Sequence, residues 1–251
     1  MVQSLLDSVT NDGEGILVLG GSEDDATYVQ PYWEVDIGGG LGVDITFAKT
    51  ATDIEAAEFD GYAAIGVASS EFQVAGEGLT NDANEALVDR RDDIAEFVNS
   101  GGGLLGKTQE GLDNAWEYVD PFGEFENNEN ANYSLVEVTQ AGLDLGLTQE
   151  GMSGWCCYHE TFTEFPDFFD VLIINDDSGD PGYREAAAIG GVEVVIPRDC
   201  IDRPERGRGD MDIPECTDRN KSSPHIDSAQ PQRRRTGRRG ERDVGDRRTS
   251  R

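Results

Sequence analysis

Asp92 to Trp116 reads DDIAEFVNSGGGLLGKTQEGLDNAW, and this stretch decides the fold. Ile94, Phe97 and Val98 recur at spacings of three and four, which predicts the end of an amphipathic helix. Gly101 to Gly103 stop it, because glycine readily takes the left-handed conformation that closes a helix C-terminus. Leu104 and Leu105 open a short apolar run that reads as a central strand buried on both faces. Gly106 to Gly111 form a turn, and Leu112 to Val119 read as the next helix. Such a unit puts its turn at the carboxyl edge of a parallel sheet, where open α/β folds keep their ligand sites.

Working outward, Gln3 to Val9 suggest a short leading helix. Gly15 to Gly20 (GILVLG) read as the first strand, ending in Gly20-Gly21. A helix is expected around Tyr28 to Val35, with its start blurred by Pro31. Val43 to Ala48 and Tyr62 to Val67 give strands two and three, with Asp53 to Glu58 as a short acidic connection. Asn81 to Asn99 is the longest helical pattern, capped by Thr80 or Asn81. Beyond Val119 the pattern turns strand-rich. Phe122 to Asn132 is loop-like, Tyr133 to Val138 alternates, and Gly151 to Phe165 is aromatic and irregular. Val171 to Asn175 is strongly apolar, Asp176 to Gly182 is a turn, and Ala186 to Ile196 returns as two short strands. Alternating strands and helices followed by strands predict an α/β fold with a mainly parallel sheet and a short antiparallel extension.

Charge divides the chain at Ile196. Residues 1–196 hold 40 of the 51 acids and only 5 of the 20 basic residues, a net of −35. The remaining 55 residues are about +4 and end in RRRTGRRGERDVGDRRTSR. The expected domain is therefore 1–196, with 197–251 an arginine-rich disordered tail. Three readings of that tail stand open: a basic nucleic-acid arm, a disordered end, or a frame-shifted translation of a GC-rich gene. The acidic body, with Lys49 and Lys107 as its only lysines, resembles proteins of salt-accumulating halophiles. Dense carboxylates keep a protein hydrated where self-repulsion is screened. The same charge disfavours nucleic acid or an anionic membrane as a partner of the body.

No stretch approaches the roughly 20 apolar residues that span a bilayer. Met1 to Val9 lacks the character of a signal peptide. The default location is cytoplasmic, or the cell surface or exterior if the chain continues upstream of Met1. Self-association into a homo-oligomer stays open.

Gly101 to Thr108, GGGLLGKT, satisfies the phosphate-loop pattern G-x-x-x-x-G-K-[ST]. The segment before it reads as helix where a phosphate loop needs a strand, so nucleotide binding is only a third reading. Asp176, Ser178 and Asp180 resemble the start of a calcium loop, but Pro181 stands where glycine is required. Cys156, Cys157 and His159 are poorly spaced for a tetrahedral metal. No metal or cofactor is expected.

The segments ILVLGG, DGYAAIGV and IAEFVNSGGGLLGKTQEG resemble the class I glutamine amidotransferase-like superfamily, in particular its ThuA-like (trehalose-utilisation-like) branch. The resemblance covers about Gly15 to Ile196. It implies a flavodoxin-like three-layer sandwich with the key residue on the turn after the glycine-rich strand. Amidotransferases place cysteine there and ThuA-like proteins often histidine; the matching residue here is Thr108. Glu110 replaces the glycine expected two positions later. His159 falls where the superfamily's late histidine would be, but the glutamate expected at Thr161 is replaced by Glu160, directly after the histidine. The resemblance thus implies catalytic candidates Thr108, His159 and Glu160, and a ligand pocket formed by Gly20, Gly21, Thr108, Gln109, Glu110, Trp155 and Cys157. Without the standard nucleophile, a non-catalytic domain binding a small, carbohydrate-related molecule or a partner is the leading expectation. A hydrolase or amidotransferase-like enzyme using His159 with Thr108 or a cysteine is the alternative.

Overall fold

A computed structural model describes residues 1–21, 27–73, 76–128, 136–153, 160–175 and 184–191. The boundary expected at 196 and the tail lie outside these residues.

The chain opens with helix α1 (Val2–Ser8) and strand β1 (Ile16–Leu19). Helix α2 (Val29–Pro31) continues as a π-helix over Tyr32–Gly39. Strand β2 (Ile45–Ala48), helix α3 (Ala51–Ala56) and strand β3 (Ala64–Val67) follow, then helices α4 (Asn81–Asp89) and α5 (Arg91–Asn99) and strand β4 (Gly103–Gly106). The four strands are parallel in the order β2-β1-β3-β4. Side-chain alternation builds a core on each face. Leu17, Leu19, Ile65 and Val67 pack with α3, α4 and α5, while Ile16, Val18 and Ala64 pack with Val29 and Trp33. The result is the expected three-layer α/β arrangement.

Five short antiparallel strands form a sheet of their own in the order β5-β7-β9-β8-β6. They are β5 (Glu126–Asn128), β6 (Val136–Val138), β7 (Thr161–Glu164), β8 (Asp170–Asn175) and β9 (Ala186–Gly190), with helices α6 (Gln140–Asp144) and α7 (Gln149–Ser153) between β6 and β7. Val136, Val138, Leu147, Leu172 and Ile173 form its core.

Several local expectations are corrected. The strand carrying Leu104 and Leu105 is the edge of the parallel sheet, not its centre, and each leucine is half-buried on an opposite face. The acidic connection after β2 is helix α3. Thr50 accepts from the Asp53 N–H, and the Asp53 carboxylate accepts from the Thr50 N–H, a reciprocal cap in which aspartate does the work usual for glutamate. The long helix is two helices, broken at Arg90 (φ −96°, ψ 11°). The Arg90 guanidinium donates to the carbonyls of Ile54, Glu55 and Ala57 and lies 4.4 Å from the Phe59 ring centre, so the break anchors α3.

The helix expected over Leu112 to Val119 is instead a series of turns and a 3-10 helix, Glu117–Phe122. Asn114 and Trp116 there have positive φ (55° and 66°), which a continuous right-handed helix does not allow. The loop-like segment after Phe122 contains β5, three polar residues that gave no strand signal. Ala186 to Gly190 is one strand; residues 192–196, and the turn expected at 176–182, are outside the described set.

Candidate functional site

The carboxyl ends of β1, β3 and β4 bring the loop residues together. Gly20 (φ 92°) turns the chain after β1, and a Cβ there would lie 2.8 Å from Leu79 Cδ1, so only glycine fits. The Gly20 N–H donates to Ala48 O and the Gly21 N–H to Gly78 O. Leu79 pairs with Ser70, and the Ser70 N–H donates to Thr108 O while its hydroxyl donates to Glu110 O (2.6 Å). Gly20, Gly21 and Thr108 to Glu110 therefore share one edge, with the Ser69–Leu79 loop between them.

Glu160 is the hub of this edge. It is buried, and its Oε2 accepts from the Thr108 hydroxyl (3.0 Å) and the Gln109 N–H (2.8 Å). Its Oε1 accepts from the Trp116 indole N–H (2.6 Å) and the Asn127 amide (2.6 Å). Two donors follow β4, one opens the 3-10 helix and one lies in β5, so a single carboxylate ties the parallel sheet to the antiparallel one. The Trp116 ring lies 4.9 Å from Phe162 of β7 and stacks on Tyr118 at 6.0 Å. This packing and the hydrogen bond to Glu160 hold Trp116 in a backbone conformation that a bulky residue rarely adopts. Among the described residues the buried Tyr118 hydroxyl has no hydrogen-bond partner. Burial, reinforced by the Glu160 charge, pushes it far above the ordinary phenol value.

Of the catalytic candidates, the structure joins Thr108 and Glu160; His159 lies outside the described residues, as do Trp155 and Cys157. A hydroxyl 3.0 Å from a carboxylate has the spacing of a nucleophile and its base. A carboxylate, however, offers about four lone-pair positions, and Glu160 has four donors on it. Gln109, expected as a ligand contact, is placed inside the edge instead of on its surface. It is fully buried, and its side-chain amide donates inward to the carbonyls of Ala68 and Lys107. Glu110 accepts from the Gln73 amide (2.6 Å), so it braces the β3 loop.

The phosphate-loop reading is also corrected. Gly101 to Thr108 is a helix end followed by a strand, and Gly103 to Gly106 pair with Ala64 to Val67 rather than curling around a phosphate. Among the described residues no three His, Cys, Asp or Glu side chains converge to hold a metal, and no helix is long and apolar enough to cross a membrane.

Three further participants gave no clear signal in the sequence. Asn127 sits in a polar stretch. Trp116 reads equally well as core. Glu77, partly exposed, accepts from the N–H groups of Thr27, Tyr28 and Val29 (2.6, 2.7 and 3.1 Å) and so caps the helix after β1. Desolvation raises its pKa, but these backbone donors outweigh it and hold the carboxyl below its ordinary range.

Comparison with family models, curated proteins and solved structures gives no match, so this site is read from its geometry alone.

Proposed function

We propose that the chain is a non-catalytic ligand-binding domain of the glutamine amidotransferase-like, ThuA-like type, adapted to high salt, whose ligand sits at the carboxyl edge of the parallel sheet. One observation carries this reading. The turn residue that would be the nucleophile, Thr108, donates its hydroxyl hydrogen bond to Glu160, and Glu160 also accepts from Gln109, Trp116 and Asn127. A base with every lone pair engaged is a clamp that fixes the edge, which suits binding better than proton transfer. Ammonia release from glutamine and hydrolysis of simple esters are expected to be absent in the wild type. Turnover abolished in both Thr108→Val and His159→Ala would sink the proposal and establish the enzyme reading, which the 3.0 Å Thr108–Glu160 contact favours. The binding arm is checked by amide NMR shifts during small-molecule titration, expected at Gly20, Gly21 and Thr108.

A further inference from the structure

Strand β2 stands at one side of the parallel sheet, and among the described residues β1 is its only strand neighbour. The Asp44 and Ala48 carbonyls accept from the N–H groups of Ile16 and Gly20, at 2.9 and 2.8 Å. In an extended strand the N–H and C=O of one residue point to one side, and those of the next residue to the other. Asp44, Thr46 and Ala48 therefore face β1, and Ile45 and Phe47 turn their N–H and C=O groups outward. No other strand meets those groups among the described residues. Such a row of unpaired backbone groups is what an extended chain adds to when it joins a sheet.

A groove of about 250 Å³ borders this strand. Register sets Thr46 and Ala48 beside Leu17 and Leu19, on the face where Ile54 of α3 packs. Leu17 is buried, yet Thr46 next to it is exposed, so the small side chains of β2 leave the space beyond α3 unfilled. Phe47 also lines the groove, although it packs with the core of the opposite face. Three consecutive residues of β2 thus border the groove, as expected where it follows the edge of a strand and not one face alone. Two exposed carboxylates, Asp53 and Glu58, line it too. The reciprocal cap with Thr50 fixes Asp53 in place, and hydrogen bonds from Thr50 hold its carboxyl below the ordinary range. Residues 43–62 carry five acids and one base, Lys49. Its Nζ donates to Gln30 Oε1 (2.9 Å) and stands 5.7 Å from the Phe47 ring centre, on the opposite face. Arg90 reaches the end of α3, where its charge is already paired with Asp93.

We propose that β2 is a docking edge for an extended cationic segment of a partner protein, which pairs with Ile45 and Phe47 as an added strand and sets an arginine or lysine in the groove against Glu58 and Asp53. Charge complementarity selects this occupant. A second copy of the chain would bring the same two carboxylates to the same edge, on a body of net −35. The groove shares no residue with the edge formed by Gly20, Gly21 and Thr108 to Glu110, so the ligand-binding domain stands or falls separately.

The test uses the full chain in buffered KCl, titrated with a capped peptide alternating valine and arginine, with its valine–glutamate counterpart, and with the arginine peptide N-methylated at every amide. Calorimetry and amide NMR follow binding. Saturable binding of the arginine peptide is expected, with shifts and slowed hydrogen exchange at Ile45 and Phe47. Glu58→Lys should weaken it about tenfold, the worth of one charge-assisted contact. Thr46→Arg should abolish it by filling the groove with a cation. Amide spectra unchanged away from β2 show that both variants are folded. Equal binding of the glutamate peptide would overturn the cationic partner. Equal binding of the methylated peptide would overturn strand addition, because that peptide has no N–H to pair. Affinity unmoved in both variants would place the peptide elsewhere and overturn the docking edge. Shifts at Ile45 and Phe47 that grow with protein concentration, with no peptide present, would give the edge to a second copy instead. Absence of saturable binding by the arginine peptide would overturn the proposal outright.

Discussion

Replacing Glu160 by alanine leaves the Thr108 hydroxyl, the Gln109 N–H, the Trp116 indole and the Asn127 amide without their acceptor. Water can reach some of them, so the cost is about 3 kcal/mol rather than four full desolvation penalties. For a domain of this size the expected fall in Tm is roughly 6–12 °C, measured by circular dichroism. Glu160→Gln should lose about half as much, because its NH2 end cannot accept from one of the two donor pairs. A Tm unchanged in Glu160→Ala would show that the carboxylate is not a clamp. Glu77 gives a prediction in pH. Its carboxyl is held below the ordinary 4.5 in the folded chain, so its stabilising contribution is present above that value and fades as pH falls through the folded value. Glu77→Gln should therefore lower Tm at neutral pH, and its gap from the wild type should close in acid. A gap that persists at the acid end would refute the linkage. Neither carboxylate's partners could be read from the sequence, because Thr27 to Val29 lie 48 to 50 residues from Glu77 and Trp116 lies 44 from Glu160. Only Thr108 and Glu160 were named together from the sequence, as catalytic candidates, and the family resemblance named them, not periodicity.

Elements were more legible than contacts, and the failures have physical causes. Strands β1, β2 and β3 and the cap at Thr80 follow from apolar runs and a threonine just before a helical stripe. The Thr80 hydroxyl accepts from the Ala83 N–H, and Thr80→Ala should cost about 1 kcal/mol, read from the urea midpoint at constant slope. Position within the sheet was misread at β4. Hydropathy reports burial and not the number of neighbouring strands, and this edge strand is covered because α1 packs on it; a Cβ at Gly103 would meet Leu5 at 2.9 Å. The π-helix was invisible for the same reason, since its register is set by packing. A Cβ at Gly66 would lie 2.5 Å from Trp33 Cη2, so the indole is seated directly against β3. Gly66→Ala should destabilise by about 1–3 kcal/mol through overpacking. Full stability in that variant would mean that the indole can move aside.

At the scale of the whole molecule, the charge was fully readable and its arrangement was not. Counting residues gives −35 for positions 1–196. Only the contacts show that Arg90 and Arg184 go to structural partners. Nearly all the remaining surface charge is of one sign, so its mutual repulsion favours the expanded chain when screening is weak. The Debye length falls from about 10 Å at 0.1 M salt to about 3 Å at 1 M, below the spacing of most surface carboxylates. Tm should therefore rise steadily with KCl across that range. Most of the rise should vanish in a variant with several exposed acids outside the candidate site, such as Asp7, Glu85 and Asp92, changed to the matching amides. Chloride is chosen because sulfate would stabilise any fold through exclusion from its surface. If Tm is flat in KCl for both proteins, the acidic surface is not an adaptation to salt. A rise equal in both would assign the effect to hydrophobic burial instead of charge.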